Sequence, residues 1–328
     1  MKSSSSKQVF FLLILCVLLA ACGGQTTTTT ALTATPAGKA GMPSTSLRVT
    51  GLVKNAGPLT LSDLQMFSKV TVSVNVKPIG AHTFGGALLY DVLQKVQVTT
   101  LKDRKNDLLR KSLVISGADG YTVAVAWGEL DPHFANKQLL LAYEEDGKQL
   151  PHADGFARLI VPGDVLAGRY VSNVASIVVR DPGVLPTIRQ RQPSSALYIV
   201  GTVNNPAKYD STALQALKTT EETVQGNTYS GVLLYDLLQQ VGVQTAHKKN
   251  DFLHKGIAVI GSDGYSCVLA DGEIEPRFGN EQVLIAFNLN GKPLAESNGF
   301  ARLVVPGDQK MGRFVSNLVE IQVVELAS

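Results

Sequence analysis

The sequence predicts an α+β protein made of two tandem, strand-rich domains with few short helices. The first observation behind this is an internal duplication. Asn106 to Val179 and Asn250 to Val323 align without a gap, and roughly half of the positions are identical. Asp119-Gly120-Tyr121 against Asp263-Gly264-Tyr265, and Gly155-Phe156-Ala157-Arg158 against Gly299-Phe300-Ala301-Arg302, fix the register. The second is a series of short β-branched runs bounded by Gly, Asn and Pro, the pattern of strands and turns. The third is that each copy has one stretch whose apolar residues recur at helical spacing.

Taken in order, Leu47 to Val53 and Leu197 to Val203 alternate and read as opening strands running into Asn/Pro/Gly turns. Ser62-Asp63-Leu64 and Ser211 to Leu214 start short helices, with Ser or Asp available as caps. Val70 to Val76 is an alternating β-branched strand, with a weaker counterpart near Glu222 to Gln225. Gly86-Ala87-Leu88-Leu89-Tyr90-Asp91-Val92-Leu93 and Gly231 to Leu238 are then expected as an amphipathic helix. Strand-like runs follow at Ser112 to Ser116, Tyr121 to Ala126, Leu139 to Tyr143 and Arg158 to Val161, some separated by Asp146-Gly147 and Asn290-Gly291 turns. The copies close on Val174 to Val179 and Leu318 to Val324. Few helices among many strands make an α+β domain.

The amino terminus reads as a secretion signal. Lys2 and Lys7 precede an apolar run, Val9 to Ala21, that is short of the ~20 residues a spanning helix needs. It ends Leu19-Ala20-Ala21-Cys22-Gly23-Gly24, which resembles the lipobox of bacterial lipoproteins and implies cleavage before Cys22 and lipidation of its sulfur. The expected organisation is a signal peptide at 1–21, a lipid-anchored flexible tether rich in Thr, Ala, Pro and Ser at 22–46, a first domain at 47–181, a Pro-containing linker with Arg189 and Arg191 at 182–195, and a second domain at 196–328. The chain is expected in the cell envelope, held on the extracytoplasmic side of the membrane through Cys22. Cys16 leaves with the signal and Cys22 takes lipid, so Cys267 alone remains in the folded part and no intramolecular disulfide forms. The net charge of +3 and the lack of a Lys/Arg cluster interleaved with aromatics argue against nucleic-acid binding.

The order Gly-(Val/Ala)-Leu-Leu-Tyr-Asp, then Asp-Gly-Tyr, then Gly-Phe-Ala-Arg-Leu-(Ile/Val)-Val-Pro-Gly with a following Gly-Arg-(Tyr/Phe)-Val resembles the molybdopterin-binding domain of sulfite-oxidase-type oxidoreductases, over nearly the whole of each copy. The resemblance implies an α+β fold that holds molybdenum on a pterin dithiolene with a protein cysteine as a further ligand, placed on the strand before the Leu-Leu helix. That stretch here is Val70 to Val76 in one copy and Glu221 to Gln225 in the other, and neither has a cysteine. A thiolate is a soft ligand that other side chains do not replace. Cys267 stands in a different strand, opposite Val123, and reads as a small buried apolar residue. The family's His before Gly-Phe is Asp154 or Asn298 here, and its Val-Lys-Trp is Val171-Ser172-Asn173 or Val315-Ser316-Asn317. The signal also lacks the twin arginines through which folded molybdenum enzymes of this kind are exported.

The five histidines, His82, His133, His152, His247 and His254, share no positions between copies and show no ligand spacing, so no metal site is expected. Gly128-Glu129-Leu130-Asp131-Pro132 and Gly272 to Pro276 read as solvated turns, with a hard-cation site as the alternative. Arg158 and Arg302 on apolar strands, with Arg169 and Arg313 in Gly-marked loops, require partners if buried: a carboxylate such as Asp119/Asp263 or Asp164/Asp308, or an anionic ligand. These four arginines are the candidate cofactor- or ligand-binding residues. No nucleophile-and-base set repeats, and no catalytic residue is named. The resulting expectation is a lipid-anchored, non-catalytic module that binds an unknown small ligand or an envelope protein. No cofactor is expected, molybdopterin entering through the resemblance alone. The alternatives are a molybdopterin-dependent oxidoreductase with an atypical metal shell, and a structural scaffold.

Overall fold

The computed structural model describes residues 42–183, 193–246 and 249–327. The signal peptide, Cys22, most of the tether, Arg189, Arg191 and His247 lie outside the described residues. Among the described residues no helix is long and apolar enough to cross a membrane.

The first copy runs β1 (Ser46–Gly51), β2 (Gly57–Thr60), α1 (Leu61–Gln65), β3 (Val70–Val76), β4 (Gly80–Leu88), α2 (Leu89–Val96), β5 (Ser112–Gly117), β6 (Thr122–Ala126), α3 (Trp127–Leu130), β7 (Leu140–Glu145), β8 (Lys148–Gln149), β9 (Arg158–Ile160) and β10 (Val174–Arg180). The second repeats it: β11 (Leu197–Gly201), β12 (Ala207–Tyr209), α4 (Ser211–Gln215), β13 (Thr220–Val224), β14 (Asn227–Leu233), α5 (Leu234–Val241), β15 (Lys255–Gly261), β16 (Ser266–Ala270), α6 (Asp271–Ile274), β17 (Leu284–Leu289), β18 (Lys292–Pro293), β19 (Arg302–Val304) and β20 (Leu318–Glu325). Each copy holds two sheets. One is ordered β2-β1-β10-β5-β6, the other β3-β4-β7-β8 with β9 also on β7, and the second copy matches both. The opening and closing strands pair in parallel, Val49 opposite Ile177 and Ile199 opposite Ile321, so each domain's two ends meet in one sheet.

The helix expected from Gly86 begins three residues later. Gly86 to Leu88 finish β4, and Gly231 to Leu233 finish β14. The reason is close approach within the sheet. A Cβ on Gly86 would lie 2.3 Å from the Leu141 carbonyl oxygen, and one on Gly231 2.3 Å from that of Ile285. Both glycines sit at a register shift, where a bulge brings backbones together. The helix proper then buries Leu89, Val92, Leu93 and Val96, the i, i+3, i+4, i+7 set, each such side chain contributing roughly 1.5–3 kcal/mol of burial. Helix α1 is capped by Thr60, with Asp63 completing a capping box, and α4 by Asp210.

Asn173 and Asn317 tie down where each domain begins. Both adopt left-handed backbone, φ 53° and 51°. Asn173 Oδ1 accepts from the Ser44 amide and hydroxyl at 2.7 and 2.6 Å, and Asn317 Oδ1 accepts from the Ser194 amide at 3.1 Å. One apolar cluster runs from Leu47 through Val323, so the duplicated halves share a continuous core.

Candidate functional site

Arg169 and Arg313 are fully buried. Arg169 Nε and Nη2 grip Asp164 at 2.8 and 2.6 Å, and its Nη1 reaches Glu129 at 2.6 Å. Arg313 repeats this on Asp308, at 2.9 and 2.5 Å, and on Glu273 at 2.6 Å. Of the carboxylates named from sequence, Asp164 and Asp308 are therefore partners. Asp119 and Asp263 instead cap their own turns by accepting from the Tyr121 and Tyr265 amides at 2.9 Å. Neither Arg169 nor Arg313 lines a crevice: charge-assisted, two-pronged bonds hold both inside. The turns at Gly128 and Gly272 are not solvated as expected. They form α3 and α6, and Glu129 and Glu273 are fully buried because each supplies the second carboxylate to an arginine.

These ion clusters lie where the two halves interlock. A Cβ on Gly128 would come within 2.6 Å of Arg313, and one on Gly272 within 2.6 Å of Arg169. Gly168 packs on Phe278 and Gly312 on Phe134 in the same reciprocal way, at 2.4 and 2.5 Å for an added Cβ. Tyr121 Oη donates to the Gly168 carbonyl and accepts from Asn250 at 3.1 Å; Tyr265 does so with Gly312 and, at 2.8 Å, Asn106. Residue i meeting j while j meets i is the signature of an approximate two-fold. The Glu129 charge acts across it to raise Glu273. Burial opposes charge on both. Arg169, helped by Lys137 at 3.9 Å, holds Glu129 below its ordinary value, while burial pushes Glu273 up to about 7 against the pull of Arg313.

Arg158 and Arg302 differ from the other two arginines. They head β9 and β19, are half-buried, and lie 5.6 and 5.5 Å over the rings of Phe84 and Phe314. Their Nε atoms are buried without a hydrogen-bond partner among the described residues. Burial pulls the Arg302 guanidinium below its ordinary value. Arg302 lines a cleft of about 540 Å³ between the two halves, with Lys105, Asn106 and Phe134 from the first and Tyr265, Lys310 and Phe314 from the second. The sequence reading missed Lys105 and Lys310. Lys310 faces Leu166 in the duplication, so comparing copies passed over it.

A larger cleft of about 850 Å³ has most of its charges committed internally, Lys249 apart. There Lys255 Nζ donates to Glu325 at 2.5 Å, His254 bridges Asp251 and Glu325, and Arg180 donates to the Leu326 carbonyl at 2.6 Å. Among the described residues no group of three or more His, Cys, Asp or Glu is placed to hold a metal. Cys267, in β16, is fully buried with Sγ 3.8 Å from the Arg313 carbonyl, and burial pushes its thiol up to about 12. Such a thiol is protonated and does not act as a soft ligand. Strands β4 and β14, which enter the helices, hold no cysteine. Among the described residues the donors do not fit a molybdenum centre that takes a protein thiolate.

No curated protein matches the chain. Among solved structures, the sulfane dehydrogenase SoxCD from Paracoccus pantotrophus is 14% identical, over 86% of this chain and 78% of that one, with a TM-score of 0.35, too low to argue from. The family described as "oxidoreductase molybdopterin binding domain" matches residues 36–182 and again 185–327, covering both sheets of each half. The chain belongs to the oxidoreductase molybdopterin binding domain family, of which it carries two tandem copies.

Proposed function

We propose that the chain is a lipid-anchored envelope protein whose paired domains bind a small anionic ligand without molybdenum redox chemistry. The observation that carries this reading is Arg302. Its side chain lines the inter-domain cleft, and among the described residues its buried Nε has no hydrogen-bond partner. A buried donor left unpaired costs about 1–3 kcal/mol, and the part of Arg302 that lines the cleft is where a ligand oxygen can accept. Lys105 and Lys310 add two more cations to the same walls, and Phe134 and Phe314 supply apolar surface beside them. The walls are mixed, with Asn106, Ser316 and Asn317 as further polar groups beside the aromatics, and convergent polar groups in a cleft are what fix a small ligand's orientation. The protonated, enclosed Cys267 and the cysteine-free strands supply no thiolate, which supports a role apart from metal chemistry. The Cys22 lipobox supports the anchor.

The test is calorimetric titration of the full-length protein with orthophosphate and sulfate at low ionic strength. Saturable binding by the native chain, lost in Arg302→Ala and kept in Arg158→Ala, is the expected result. Failure of both anions to bind, or binding indifferent to Arg302, would sink the reading.

A further inference from the structure

We infer that the Arg302 cleft is one end of a longer trough built for a linear chain of phosphate-type anions, rather than a seat for a single anion; the inference rests on the ligand-binding reading above. A second cleft of about 490 Å³ adjoins the first. The two share Asn106, Phe134 and Lys310 as lining residues, so Lys310 stands where they join. The second cleft brings Lys102 and Arg104, together with His133, whose Nδ1 lies 3.1 Å from Asp131.

The charge balance is one-sided. The carboxylates in these walls already serve the protein. Asp107 takes the Leu101 amide at 3.0 Å and the Lys111 ammonium at 2.9 Å, and Asp131 takes the Trp127 indole N–H at 2.8 Å. Asp263 caps its turn. The cations are less engaged: among the described residues Arg104 pairs with Asp181 at 3.7 Å, and Lys102, Lys105 and Lys310 have no ion pair. A ligand with one anionic group would meet one end of this array, whereas linked anionic groups meet both. The second contact is then intramolecular and strengthens binding without a new surface. Leu166 stands in the first half where Lys310 stands in the second, so the cation at the junction is not repeated at the equivalent position.

The experiment compares inorganic tripolyphosphate with orthophosphate by calorimetry on the full-length protein, at low and at roughly 0.3 M salt, where exposed charges are largely screened. Tripolyphosphate should bind at least about tenfold more tightly at low salt, and much of that margin should vanish at high salt. Lys310→Leu and Lys102→Ala should each reduce the margin, while Lys218→Ala, an exposed lysine elsewhere, leaves it unchanged. These lysines are on the surface, so the variants fold. Equal affinity for the two anions, or a preference indifferent to Lys310 and Lys102, overturns the extended-ligand inference while orthophosphate binding through Arg302 still stands. If neither anion binds, both readings fall.

Discussion

Removing the Arg313 side chain leaves Glu273 and Asp308 facing each other in the protein interior without their cation. Three contacts disappear at once, two to Asp308 at 2.9 and 2.5 Å and one to Glu273 at 2.6 Å. Glu273 is fully buried and Asp308 nearly so, and Glu129 already repels Glu273 across the two-fold. Taking away one partner of a buried ion cluster costs about 3–5 kcal/mol, because an uncompensated charge remains. A domain's whole stability is about 5–15 kcal/mol, so Arg313→Ala should fold but unfold at much lower urea. The sign with pH follows from which state binds protons. Glu273 and Asp308 already lie above their ordinary values, and without the pull of Arg313 they rise further, so the folded variant holds protons to higher pH than the native protein does. Its deficit therefore shrinks as pH falls and is larger at pH 8 than at pH 5. Urea unfolding of native and Arg313→Ala protein at both pH values measures this. A deficit below about 1 kcal/mol at pH 8, or one that does not change with pH, would refute an ion cluster that holds the halves together. Lys69→Ala, which removes the exposed pair to Glu144, should change stability far less.

Gly128→Ala places a methyl against Arg313 and should cost about 1–3 kcal/mol in urea unfolding, whereas Gly57→Ala, with open space around it, should cost little. Burial and then the Glu275 charge push Asp271 from its ordinary 3.8 up to about 7. Its contribution is complete below about 3.8, is lost as the pH rises toward 7, and falls no further above that; Asp271→Asn should lack this slope, and identical pH profiles for the two proteins would refute the shift. Arg302→Ala should abolish anion binding at nearly native stability, since the cation–π contact it loses contributes only about 0.5–1 kcal/mol at partly exposed sites. Cys22→Ser should move the chain from the membrane to the soluble fraction on cell fractionation; retention in the membrane would remove the lipid anchor from the proposal.

Much of the fold could be read from periodicity. Val70 to Val76, Ser112 to Ser116 and Val174 to Val179 all fall within strands, because β-branched alternation is a local signal. The Gly86 segment misled because Ala87, Leu88 and Leu89 fit either period, and only the Leu141 carbonyl on a neighbouring strand shows why glycine is needed there. The site was legible in part. Arg169 and Arg313 were marked as needing partners, and Asp164 and Asp308 were among those named. Glu129 and Glu273 look solvated in the sequence because a carboxylate in a Gly/Pro-flanked segment resembles a turn until the fold encloses it. The inter-domain cleft was not legible at all. Phe134, Lys105 and Lys310 come together only when the halves pack, and a comparison of copies favours what they share over what one alone has.

Molybdenum and pterin content, measured per chain on full-length protein purified from its own host, bears most directly on the proposal that these tandem domains serve ligand binding and not molybdenum chemistry. With no thiolate in β4 or β14 and Cys267 enclosed and protonated, both contents should be far below one per chain. Stoichiometric molybdenum with pterin would contradict that proposal.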